Sequence, residues 1–120
     1  MARSLILGNG NVLVGLDRFG QVRDFYFHYV GLENHLSHNM VHRIGVWVDG
    51  RFAWLGDASW QIEVSCEDDT LAGVIVAVNK DLQVKLEFND VVYNEKNLFI
   101  RHIAVTNQAD RERRVKVFLL

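Results

Sequence analysis

Apolar and polar residues alternate with a period of two through most of the chain. Trp60, Ile62, Val64 and Cys66 alternate with Gln61, Glu63, Ser65 and Glu67, and Leu82, Val84, Leu86 and Phe88 alternate with Gln83, Lys85, Glu87 and Asn89. Successive side chains of a strand point to opposite faces, so each run predicts a strand with one face on a core and one in water. Residues 71–78 are apolar on both faces, which predicts a mid-sheet strand with packing above and below. Turn residues punctuate these runs roughly every eight to twelve positions, as in sandwiches and barrels. Asn9-Gly10 separates 4–7 from 12–16, Asp17-Arg18-Phe19-Gly20 precedes 21–27, and Asp49-Gly50 separates 44–48 from 51–55. Asn-Gly and Asp-Gly supply the positive φ angles that tight hairpins need. Residues 98–106 and 113–120, joined by Asn107-Gln108-Ala109-Asp110, complete a set of about nine strands with little or no helix. The predicted fold is all-β, an antiparallel β-sandwich.

Composition agrees. There are no prolines, the apolar residues are mostly Val, Ile, Leu and Phe, and three Trp and three Tyr accompany them; β-branched and aromatic shapes suit a pleated surface. The 120 residues are 49% hydrophobic and 23% charged, with 13 Lys+Arg against 15 Asp+Glu for a net charge of −2. One globular domain or a piece of one follows, with enough chain to bury about two-thirds of its unfolded surface. The two signs are interleaved without the basic stripe that replaces counterions on phosphates, so no nucleic-acid partner is expected. No apolar run approaches the roughly 20 residues that span a bilayer, and the first residues lack the length of a secretory core, so no membrane partner and a cytoplasmic location are expected. Cys66 is the single cysteine; it rules out an internal disulfide and any multi-cysteine metal centre, and is expected to be a small core hydrophobe. No cofactor is implied. Val115-Lys116-Val117-Phe118-Leu119-Leu120 ends inside an apolar run, which predicts a segment of a longer protein whose strand edge wants a partner, in the same protein or in a second copy. A complete small sandwich with that strand paired centrally is the alternative.

One stretch breaks the rhythm. Residues 26–43 form a predicted long loop that, with its flanks, holds four of the five histidines and two of the three tyrosines. Long loops in compact domains usually carry function. His35, His38 and His42 with Glu33 offer zinc-type ligands, but no HExxH or paired-cysteine framework accompanies them, so no metal site is assigned. Tyr and His side chains, apolar in body and polar at the tip, also suit a sugar face or a docking partner. The third reading is a loop whose aromatics plug one end of the sandwich.

Catalytic chemistry finds no home. Inverting glycoside hydrolysis, for instance, needs an acid and a base about 6.5–9.5 Å apart. Asp17, Asp49 and Asp110 lie in turns, Glu63, Glu67 and Glu87 lie on wet strand faces, and Asp68 and Asp69 are neighbours that an extended backbone points apart. No Gly-x-Ser-x-Gly elbow or phosphate loop is present. No catalytic residue is assigned.

Several motifs in order are similar to one family. Leu7-Gly8-Asn9-Gly10-Asn11-Val12-Leu13-Val14-Gly15-Leu16-Asp17, Gly20-Gln21-Val22-Arg23-Asp24-Phe25-Tyr26-Phe27, Val30-Gly31-Leu32-Glu33-Asn34-His35 and Arg43-Ile44-Gly45-Val46-Trp47-Val48-Asp49-Gly50 resemble the start of prokaryotic glycoside hydrolase family 15 proteins, the glucoamylase, glucodextranase and trehalase-like enzymes. The likeness extends to Tyr93-Asn94 and Val105-Thr106-Asn107. It implies the first part of a noncatalytic β-sandwich, joined in those proteins by a linker to an (α/α)6 barrel that carries two catalytic glutamates. Two departures accompany it: Tyr26-Phe27-His28 stands where the family has Tyr-Phe-Pro, which alters the path into the loop, and neither linker nor barrel is present. The resemblance thus implies a docking or substrate-rim loop, with Tyr26, Tyr29, Glu33, Asn34 and His35 as the contact residues and the barrel as partner. A free-standing carbohydrate-binding module is the alternative, with Trp47, Trp54 or Trp60 stacking on an α-glucan or oligosaccharide. Trp47 is the candidate on the outward phase of its strand.

Overall fold

The computed structural model describes residues 2–28, 33–36, 40–67 and 71–120. Ten strands follow one another, each on one of the runs named above, against an expected count of about nine: β1 (Leu5–Gly8), β2 (Val12–Leu16), β3 (Val22–Phe27), β4 (Ile44–Val48), β5 (Arg51–Trp54), β6 (Trp60–Cys66), β7 (Gly73–Asn79), β8 (Val84–Val92), β9 (Phe99–Asn107) and β10 (Val115–Leu119). No helix occurs among the described residues, and so none long and apolar enough to cross a membrane. The strands form three antiparallel sheets in the orders β1-β2-β3, β10-β4-β5 and β6-β7-β8-β9. This is the all-β, sandwich-like architecture that the patterning predicts.

Local chemistry sets the turns. Asp49 and Gly50 have φ of 53° and 75° between the paired residues Val48 and Arg51, the two positive angles of a type I′ hairpin. Between β1 and β2 only Gly10 takes a positive φ, 94°; Asn9 closes that turn with its side chain, its Oδ1 accepting the N–H groups of Asn11 and Val12 at 2.9 Å each. Asn79 Oδ1 accepts the Leu82 N–H at 2.9 Å in the β7–β8 connection.

Inner faces from all three sheets meet in one core. Val12, Val14 and Leu16 of β2, Ile44, Val46 and Val48 of β4, and Val84, Leu86 and Phe88 of β8 are each at most 1% exposed, and burial of such a side chain contributes about 1.5–3 kcal/mol. Two expectations need correction. β7 lies mid-sheet, but only Gly73, Ile75, Ala77 and Asn79 are buried, while Val74, Val76 and Val78 are half-buried. Val76 sits between Glu63 and Glu87, and Val78 between Gln61 and Lys85, so that face is wet. Cys66 is exposed rather than buried. Along β6, Trp60 is buried, Ile62 and Val64 are half-buried and Cys66 is open: alternation fixes which face a residue shares, not how far the covering layer extends.

Two acidic groups lie inside. Asp90 and Arg101 face each other on β8 and β9 in a two-pronged ion pair of 2.9 and 2.8 Å, and Arg101 Nη2 also donates to the Gly20 carbonyl at 2.8 Å, tying the sheet to the turn before β3. Asp17 Oδ1 accepts the N–H groups of Phe19 and Gln21, and its Oδ2 accepts Arg23 Nε at 2.7 Å. Both carboxylates are fully buried, where full hydrogen bonding is what makes a charge tolerable.

Candidate functional site

The segment after β3 is built around one side chain. Asn34 makes an isolated bridge with Tyr26; its Oδ1 accepts the N–H groups of Phe25 and Leu36 at 3.0 Å each, and its Nδ2 donates to Asp24 Oδ1 at 2.9 Å. Asp24 also receives Arg3, whose hydrogen bond, outweighing desolvation, holds the Asp24 carboxyl below its ordinary value. The His35 N–H donates to the Phe25 carbonyl at 2.8 Å, a ring nitrogen of His35 lies 3.0 Å from the Phe27 carbonyl, and its ring meets Phe25 edge-on. Residue 42 returns to the same strand edge: the His42 N–H donates to the Val22 carbonyl at 3.0 Å. The Phe27–His28 peptide is cis.

Two recesses flank this segment and share Leu36 and His42. An open recess of about 810 Å³ includes Gln21, Arg23, Arg43, Trp54 and Asp57 in its wall. The other, about 340 Å³, is largely apolar, with Phe25, Phe99, Ile103 and Leu119 beside Arg101. His42 Nδ1 and Arg101 Nη1 are buried without hydrogen-bond partners. Burial, and then the Arg101 cation, push the His42 imidazole below its ordinary value, which keeps it neutral near pH 7.

The expected contact residues therefore divide. Tyr26, Asn34 and His35 come together along β3, with Glu33 exposed beside them. Tyr29 lies outside the described residues. The Asn34 amide is spent on the backbone and Asp24, which makes it a clamp for the segment. Of the zinc-type candidates, His38 also lies outside the described residues, and no group of three metal-binding side chains occurs among those described. Among the described residues, no pair of free carboxylates faces either recess: Asp17 and Asp90 are consumed by arginines, and the Asp57 carboxylate in the larger recess accepts the Trp54 N–H at 2.9 Å.

Trp47 does point outward from β4, half-buried, with Lys116 Nζ 5.0 Å from its ring centre. Trp60 is 7% exposed and belongs to the core. Sequence reasoning passed over Phe52 and Phe118, which share the outward face with Trp47 and Trp54, and Arg43, which covers Trp54 at 4.2 Å. A signal existed: Arg51-Phe52-Ala53-Trp54 places two rings on the phase opposite the buried Ala53.

No family model matches the chain, and no solved structure matches it. Over 113 residues, 94% of this chain, it is 24% identical to an uncharacterized glycosyl hydrolase of Methanocaldococcus jannaschii. The chain spans 17% of that protein's length. It is thus an all-β chain with a distant relative named as a glycosyl hydrolase.

Proposed function

We propose that this chain is the N-terminal, noncatalytic β-sandwich portion of a glycoside hydrolase of family 15, supporting and docking onto an (α/α)6 barrel that hydrolyses α-glucosidic bonds. The observation that carries the reading is the state of the carboxylates: among the described residues, those that are buried or line the two recesses are already engaged by arginines or backbone N–H groups, which leaves no acid and base facing either recess. The distant relative and its much greater length support a role as one part of a larger glycosyl hydrolase. In this reading Tyr26, Glu33 and His35, together with Tyr29, contact the barrel, and Asn34 acts as the clamp that holds Phe25, Leu36 and Asp24 in place beneath them. In the full-length protein, His35→Ala with Tyr29→Ala raises KM or weakens association of the two portions; unchanged values for both discard the docking role. The isolated chain releases no glucose from maltooligosaccharides or trehalose.

The outward rings of β4, β5 and β10 favour a second reading, a carbohydrate-binding module in which exposed aromatic surface stacks on pyranose faces.

A further inference from the structure

The outer face of a three-stranded sheet over a core is ordinarily polar. Here it is aromatic and cationic. Across β10, β4 and β5 the register places Phe118, Gly45 and Trp54 in one row, and Lys116, Trp47 and Phe52 in the next. Gly45 makes room in the first row. A Cβ on it would come within 2.2 Å of Phe52 Cζ, so the Phe52 ring reaches across the bare backbone of β4. It sits between Trp54, 4.7 Å away at an interplanar angle of 85°, and Phe118, 5.7 Å away at 65°. Phe52 is the floor of this row and the other two rings stand beside it. Phe52 and Phe118 are 44% and 45% exposed.

Cations lie at both ends. The Arg43 guanidinium is 4.2 Å from the Trp54 ring centre, and Lys116 Nζ is 5.0 Å from that of Trp47. Neither has a carboxylate partner among the described residues, whereas Arg3, Arg23, Arg101, Arg111 and Arg113 each do. No strand position of this face carries an acidic side chain. Beyond Arg43 and Trp54 the row opens into the recess of about 810 Å³, a volume within the usual range for small-molecule sites.

Apolar ring faces next to unpaired cations are complementary to a ligand with flat C–H surfaces and regularly placed negative charge. We propose that this face binds an anionic glycan, a short run of uronate-type sugars whose rings stack on Phe52 and Phe118 while their carboxylates meet Arg43 and Lys116. The proposal rests on the carbohydrate-binding reading above and adds the ligand class and the residues.

Titrations of the chain with oligogalacturonate, maltoheptaose and poly-L-glutamate, followed by calorimetry and Trp fluorescence, test it. Oligogalacturonate binds saturably, and Phe52→Ala and the pair Arg43→Gln/Lys116→Gln each weaken it about tenfold or more with unchanged circular dichroism. Equal affinity for maltoheptaose overturns the anionic assignment and leaves the carbohydrate-binding reading standing. Equal affinity for poly-L-glutamate shows that charge alone is read and overturns the proposal. Absence of binding to all three overturns both.

Discussion

Arg101 shows how one residue holds several parts of the fold. It occupies an inward position on β9 between Phe99 and Ile103, its charge is met by the fully buried Asp90, and it reaches the Gly20 carbonyl. Replacing it with Met keeps the bulk but leaves the Asp90 carboxylate buried and unpaired, so Arg101→Met costs about 3–5 kcal/mol in denaturant unfolding. Asn34 predicts a smaller loss. Asn34→Ala orphans the Phe25 and Leu36 N–H groups, costs about 1–3 kcal/mol, and loosens the segment enough to raise hydrogen exchange at Leu36. Gln83 carries the opposite sign. It holds φ of 55° after Leu82, a left-handed conformation that burdens a side chain with a Cβ, so Gln83→Gly raises stability by up to about 1 kcal/mol. At this scale the sequence was partly legible. Asn34 stood out, but its role as a clamp depends on Asp24 and Phe25 lying across from it. The Asp90–Arg101 pair was announced by two charges falling on the apolar phase of their strands, a sign visible only once the two phases are set side by side.

Strand phase was readable because a period of two leaves few alternatives, and Asp49-Gly50 and Asn9-Gly10 fixed two hairpins outright. Coverage was not readable. Nothing in Val74, Val76 and Val78 states whether a second layer lies above them, and β6 keeps its apolar phase through Cys66 after the core has thinned. The return segment at His42 was legible only as a break in rhythm, because its pairing with Val22 is a distant contact. That segment predicts a pH dependence with a defined sign. The His42 imidazole is held below its ordinary value of 6.5, first by burial and then by Arg101, so the unfolded chain binds a proton that the folded chain resists. Stability is therefore full above that value and declines as pH falls through 6.5 toward the lower folded value. Asp24, shifted downward, acts in a separate window, losing its contribution only below the ordinary carboxylate value of 3.8. Denaturant midpoints between pH 8 and pH 5 show the first decline, and His42→Gln flattens it. An unchanged slope in that variant assigns the decline elsewhere.

Across the whole molecule the sandwich is well closed along β2, β4 and β8 and open where β9 and β10 meet water. Among the described residues β9 pairs only with β8 and β10 only with β4. The nine residues of β9 leave one row of backbone donors and acceptors free of any strand, with Ile100 and Val105 46% and 42% exposed, and Phe99 and Ile103 half-buried beside the apolar recess. A long exposed edge is a template for another strand, and the one inward charge on β9, Arg101, is neutralised by the buried Asp90, so it does little to guard that edge. The purified chain consequently self-associates as concentration rises. Val105→Lys places a charge on the half-open inner face of that edge, at the register position of the buried Leu86, and lowers the associated fraction in light scattering while leaving the circular dichroism of the sheet in place. If the lysine variant associates as strongly as the parent, the contact runs through another surface. The aromatic row of β10, β4 and β5 is then the next to test, because Phe52→Ala removes ring area there without altering an edge.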